Sequence, residues 1–120
     1  MTALVAPKIL VVDDEVLIAM LVADMLEDLG RQVVGPALTL DEAMTLAEGS
    51  DLDGAILDVN LDGLSTLPVA KVLRGRRVPF VFASGSLPDS VDAEFCNVGW
   101  LQKPFEFATL ARVLHEAELG

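Results

Sequence analysis

Positive charge, cysteine and long apolar runs are all scarce in this sequence. Lys and Arg number 8 against 19 Asp and Glu, a formal net charge of −11. A surface of that sign repels phosphate backbones, so direct nucleic-acid binding is not expected. Cys96 is the single cysteine. It excludes an internal disulfide, suits the cytoplasm, and reads as a small hydrophobe. No apolar run approaches the ~18 residues that span a bilayer. The residues before Lys8 lack the basic start and apolar stretch of a secretory signal, so no membrane association is expected. No internal repeat, low-complexity tract or interior linker is present, and 120 residues fit one domain.

Hydrophobic residues make up 52% of the chain, enough for a sizeable core. Short apolar runs alternate with helical patterns, the rhythm of an α/β fold with a parallel sheet. Residues 8–12 read as a first strand, because an unbroken Ile-Leu-Val-Val run suits a strand covered on both faces. Ile18, Leu21, Val22, Met25, Leu26 and Leu29 then recur at helical spacing, and Gly30 supplies a stop. Residues 32–34 form a weak second strand closed by Gly35-Pro36. Thr39 and Glu42 match a capping box opening a helix that buries Ala43, Met44 and Ala47 and stops at Gly49. The spacing further predicts strands at 55–57, 80–83 and 100–102. It predicts helices at 66–74, weakly at 88–96, and after Pro104, the last burying Phe107, Leu110, Ala111 and Leu114. The methionines read as core filling, and His115 as a helix-surface residue.

In such a sheet all strands end at one edge, where ligands bind. Here the strand ends carry Asp13-Asp14, Asp58, Ser84-Gly85 and Lys103-Pro104. Carboxylates brought that close repel one another unless a cation intervenes, and a hard divalent ion such as Mg²⁺ prefers oxygen donors. With the metal bound, a carboxylate can act as nucleophile toward phosphorus. A hydroxyl and an ammonium match the needs of transferring phosphoryl oxygens. Glu15 follows the acidic pair and suits the start of the first helix through the helix dipole.

Each motif is common alone, but the set Asp13-Asp14, Asp58, Ser84 and Lys103-Pro104, in order and each after an apolar strand, resembles the receiver domain of two-component response regulators. The resemblance covers essentially residues 1–120. It implies a flavodoxin-like (βα)5 three-layer sandwich whose five-stranded parallel sheet has the order 2-1-3-4-5. It implies Asp58 as phosphoacceptor, and Mg²⁺ held by Asp14, Asp58 and the Asn60 backbone carbonyl, with Asp13 acting largely through bound water. Lys103 pairs with the phosphoryl group, Ser84 hydrogen-bonds to it, and Trp100 stands in for the switch aromatic. The implied partners are a histidine kinase or histidine phosphotransfer protein, a downstream protein not identified by the sequence, and room for a homodimer. Catalysis is limited to self-phosphorylation and slow autodephosphorylation.

Three features depart from the family pattern. Leu61-Asp62-Gly63 follows Asn60 where Met-Pro is common, and the segments between Asp58 and Ser84 and between Ser84 and Lys103 are short. The chain reads either as a stand-alone receiver or as one excised from a longer regulator or hybrid kinase. The competing enzyme is a Mg²⁺-dependent aspartyl phosphatase of haloacid-dehalogenase type. Asn60 opposes it, standing where those enzymes carry a second Asp.

Overall fold

A computed structural model describes residues 6–61, 63–84, 99–103 and 107–116. The elements run β1 (Lys8–Val12), α1 (Val16–Asp28), β2 (Gln32–Ala37), α2 (Leu40–Gly49), β3 (Gly54–Asp58), β4 (Asn60–Leu61), β5 (Leu64–Ser65), α3 (Leu67–Gly75), β6 (Phe80–Ser84), β7 (Gly99–Gln102) and α4 (Phe107–Glu116). Five strands form a parallel sheet in the order β2-β1-β3-β6-β7, the expected 2-1-3-4-5 arrangement of a flavodoxin-like fold. The weak helix expected at 88–96, Cys96, Gly85 and Pro104 lie outside the described residues.

Alternation along the strands divides the core into two layers. Leu10, Val12, Ala55, Leu57, Phe80 and Phe82 face α2 and α3, where Ala43, Ala47, Val69, Ala70 and Leu73 complete one cluster. Ile9, Val11, Ile56, Val81, Ala83 and Leu101 face α1 and α4, joined by Val22, Leu26, Leu110, Val113 and Leu114. Helices on both faces explain why the central strands read as continuous apolar runs.

Local signals set the helix boundaries. The Thr39 hydroxyl accepts the Glu42 N–H at 3.2 Å, a cap that contributes about 1 kcal/mol. The Glu42 carboxylate reaches back to the Thr39 hydroxyl and the Leu38 N–H. Gly30, at φ +80, follows the end of α1 as a left-handed stop.

Three expectations need correction. β2 continues through Gly35-Pro36, a cis peptide, to Ala37. An edge strand tolerates the proline, and pairing with β1 jumps from Leu10↔Val34 to Val12↔Ala37. Gly35 has φ +94, and a Cβ there would lie 2.6 Å from the Ala37 nitrogen, so only glycine fits this bend. The second correction concerns the helix faces. In α1, Leu21 and Met20 are exposed while Ala19, Val22 and Leu26 are buried. In α4, Phe107 is exposed and Ala111 half-buried, and Val113 joins the core instead. Third, Met25 and Met44 only flank the core, so methionine is a minor filler. A two-stranded antiparallel hairpin, β4–β5, also occupies the stretch after Asp58.

Candidate functional site

Two main-chain devices set the acidic edge of the sheet. The bend in β2 brings the Ala37 carbonyl to 3.0 Å from the Asp13 N–H, fixing the loop that follows β1. Beyond β3, the Asn60 N–H points back to Asp58 Oδ1 at 3.4 Å. Asp13 and Asp58 are both buried, and Asp14 is half-buried. Asp13 Oδ1 accepts the Glu15 N–H at 2.9 Å, an Asx-type contact at the start of α1.

Lys103 enters this group from the end of β7. Its Nζ lies 2.6 Å from Asp13 Oδ2 and 3.2 Å from Asp58 Oδ2, bridging both carboxylates, with Glu15 Oε1 farther off at 3.9 Å. The three inner side chains retain only 10%, 5% and 9% of their exposure for Lys103, Asp13 and Asp58, so solvent screens these contacts little. Burial raises the Asp58 carboxyl above its ordinary value, and the Asp13 charge adds to this against the opposing pull of Lys103. Burial pulls the Lys103 ammonium down, but its hydrogen bond to Asp13 and the Asp58 charge outweigh that and leave it raised.

One ammonium does not neutralise the acids that meet here. Asp13, Asp14, Glu15 and Asp58 each place a carboxylate oxygen within 4.8 Å of the others. The set is all oxygen, with no nitrogen or sulfur donor in it. That fits Mg²⁺, a hard ion that neutralises carboxylates, and not the His/Cys preference of zinc. Asp14 and Asp58 would hold it, with Asp13 close by in the same cluster.

Residues 9–115 match the family model of the response regulator receiver domain. This chain belongs to that family. The receiver is 44% identical to SdrG from Sphingomonas melonis Fr1, whose solution structure superposes with a TM-score of 0.84 over 98% of this chain and 99% of that one. It is 36% identical to the phyllosphere-induced regulator PhyR of Methylorubrum extorquens, over 93% of this chain and 43% of PhyR. The structure of TrrA from Thermotoga maritima in complex with Mg²⁺ and BeF is 25% identical, with a TM-score of 0.80 over 92% of this chain and 98% of that one. Against the transcriptional regulatory protein PdtaR of Mycobacterium tuberculosis the identity is 31%, over 90% of this chain and 55% of PdtaR. The receiver therefore spans about half the length of these curated relatives. The family match disfavours the haloacid-dehalogenase alternative.

The fold gathers Asp13, Asp14, Asp58 and Lys103 at one edge, with the Asn60 backbone joined to Asp58. Ser84 closes β6 one position beyond Ala83, the register partner of Asp58. Trp100 pairs in register with Phe82, and Ser84 with Gln102. Glu15 belongs to the acidic group although its side chain is 64% exposed; its adjacency to Asp13-Asp14 was the available signal. Thr66, fully buried beneath Asp58, carried no such signal.

Proposed function

We propose that this receiver accepts a phosphoryl group on Asp58 from the phosphohistidine of a histidine kinase or histidine phosphotransfer protein, and signals by altering the surface a downstream protein binds. The observation that carries this reading is Asp58 buried at the end of β3 with an ammonium 3.2 Å from its carboxylate and a cluster of further acids beside it. An Asp58 carboxylate oxygen bonds to phosphorus as the phosphorus–nitrogen bond of the donor breaks, and the departing imidazole keeps the electron pair. Bound Mg²⁺ supplies positive charge to the acids and to the transferring oxygens. Asp14, Asp58 and the Asn60 carbonyl would hold it, with Asp13 acting through water. Lys103, already shared between two carboxylates, pairs with the incoming phosphoryl oxygens, and Ser84 donates to them from the end of β6.

Apolar side chains flank this edge. Val16, Leu17, Met20 and Leu21 on α1, Leu64 on the hairpin and Phe107 at the start of α4 are the exposed large hydrophobics among the described residues. Such side chains suit a protein partner, whereas the net charge of −11 disfavours nucleic acid. No described helix is long and apolar enough to cross a membrane, and we place the receiver in the cytoplasm with its donor.

The test is incubation with Mg²⁺ and a small acyl phosphate, followed by intact-mass and peptide analysis. One acid-labile phosphoryl group on Asp58 is expected, and labelling at another residue overturns the assignment. Asp14→Ala should lose Mg²⁺-dependent labelling. It should also lose most of the Mg²⁺ stabilisation, which linkage sets at about 2.7 kcal/mol when Mg²⁺ is 100 times its Kd.

Trp100 is the only tryptophan, so its fluorescence reports one position. In the switch pair that the family resemblance implies, a small Ser84 matched with the large Trp100 biases the resting receiver toward the active arrangement. Mg²⁺ with beryllofluoride should change the emission, and Ser84→Ala should weaken that change while the analogue still binds. Constant emission at calorimetrically confirmed saturation would return Trp100 to a packing role.

A further inference from the structure

Thr66 is the residue immediately before α3, where a threonine ordinarily turns its hydroxyl to the free N–H groups of the helix. Here it makes no such cap. The neighbouring Ser65 serves instead, its Oγ accepting the Leu67 N–H at 3.1 Å. The Thr66 side chain is fully buried and turned the other way, donating to the carbonyl of Asp58 at 2.5 Å. The Val59 carbonyl lies 3.1 Å from the same hydroxyl and also accepts the Thr66 N–H at 3.0 Å. A hydroxyl has one proton, so the shorter contact to Asp58 is the main bond and the other its weaker branch.

These two carbonyls belong to the peptide planes that connect Asp58 to Asn60. Thr66 therefore grips both planes, and the Thr66 carbonyl in turn accepts the Ala70 N–H at 3.1 Å, anchoring the grip to α3. The β4–β5 hairpin adds the pairing Asn60↔Ser65 and brings Thr66 back under Asp58. A loop able to pivot at either plane would swing the Asp58 carboxylate and the Asn60 carbonyl relative to one another. We infer that Thr66 is a positioning residue, whose buried hydroxyl fixes the Asp58–Asn60 segment and so sets the affinity for Mg²⁺ and the rate of phosphoryl uptake. The inference rests on the reading of Asp58 as phosphoacceptor. The hairpin built on Leu61, Gly63 and Leu64 thus gives a role to the sequence that departs from Met-Pro.

Two pairs isolate the hydroxyl in the full chain. Thr66 and Thr66→Val differ in it with the methyl group kept, and Thr66→Ser and Thr66→Ala differ in it with the methyl group absent. The Mg²⁺ Kd is read by calorimetry, the labelling rate from an acyl phosphate at sub-saturating Mg²⁺, and the melting temperature without metal. Loss of one buried hydrogen bond corresponds to roughly tenfold, so Val and Ala should weaken Mg²⁺ binding by about that factor and slow labelling in step. Ser should stay close to wild type. Val and Ala variants that melt lower yet bind Mg²⁺ and label like their hydroxyl-bearing partners would reduce Thr66 to a structural residue and overturn the inference. If Thr66→Val does not fold, the Ser–Ala pair decides the question. Wild type that does not label on Asp58 would instead overturn the phosphoacceptor assignment, and this inference with it.

Discussion

Asp58→Asn should abolish phosphoryl uptake and, without Mg²⁺, give a protein that melts a few degrees higher than wild type at neutral pH. Loss of uptake follows from loss of the nucleophilic carboxylate. The gain in stability follows from the balance of charges around it. Burial and the neighbouring Asp13 raise the Asp58 carboxyl, and Lys103 opposes them without winning. The folded state therefore disfavours a charge that the unfolded chain carries freely. A carboxyl raised on folding makes its favourable contribution below its unfolded value, about 3.9 for Asp, and loses it as pH climbs through the folded value. The Asn variant should accordingly match wild type near pH 3 to 4 and pull ahead toward pH 7. In a domain of this size each kcal/mol of such an advantage moves the melting temperature by about 2–8 °C. Saturating Mg²⁺ should reverse the order, because the variant has lost a ligand and gains less from linkage. Phosphoryl labelling of the variant at the wild-type level, or a stability difference that ignores pH, would defeat the account.

Where the fold was legible, the reason was a repeating pattern. Residues 9–12 and the run at 80–83 are buried on both faces, so they read as strands without alternation. Thr39 and Glu42 sit three residues apart and cap α2 by contacts within that turn. The acids and Lys103 were legible because every strand of a parallel sheet ends at the same edge. What escaped depends on partners distant in sequence. Gly35-Pro36 reads as a strand end, yet β2 passes through it because the Ala37 carbonyl finds the Asp13 N–H just beyond β1. Thr66 reads only as the start of a helix, and the placement of β3 eight residues earlier is what turns its hydroxyl toward Asp58. Leu21 and Phe107 sit on apolar patterns but are 51% and 43% exposed. Periodicity identifies a helix face, but not where along the helix the facing layer stops. The place of Lys103 at a strand end points to the phosphoryl group, whereas its contacts with Asp13 and Asp58 depend on side-chain reach that spacing does not carry.

Those contacts make Lys103→Met the substitution with the largest expected cost to the metal-free protein. The ammonium is buried between two buried carboxylates, at 2.6 Å and 3.2 Å. Removing one partner of such a cluster strands the others without compensation, a loss of about 3 kcal/mol at neutral pH. The Lys103 side chain is raised because its bond to Asp13 and the Asp58 charge outweigh its burial. A raised lysine keeps its whole contribution below its unfolded value, about 10.4, and loses it only as pH rises through the folded value. Wild type therefore holds this contribution across the neutral range. In the variant the acids at this edge face one another without the ammonium, and the Asp58 carboxyl, freed from the opposing pull of Lys103, rises further on folding. Its stability should be greatest near pH 4 and fall as pH approaches 7, opposite to the trend of a domain held by paired acids. Mg²⁺ should restore part of the loss by supplying the missing charge. Asp58→Asn in the same chain should also restore part of it, since one of the two stranded charges is gone, and the double variant should then be non-additive. Phosphoryl uptake should fall by roughly 10²- to 10³-fold, the usual cost of removing a donor that stabilises charge on transferring oxygens. Denaturant melts of the four proteins at pH 4 and pH 7, with and without Mg²⁺, decide the matter. A loss equal at both pH values and untouched by Asp58→Asn would show that the side chain contributes packing and not charge.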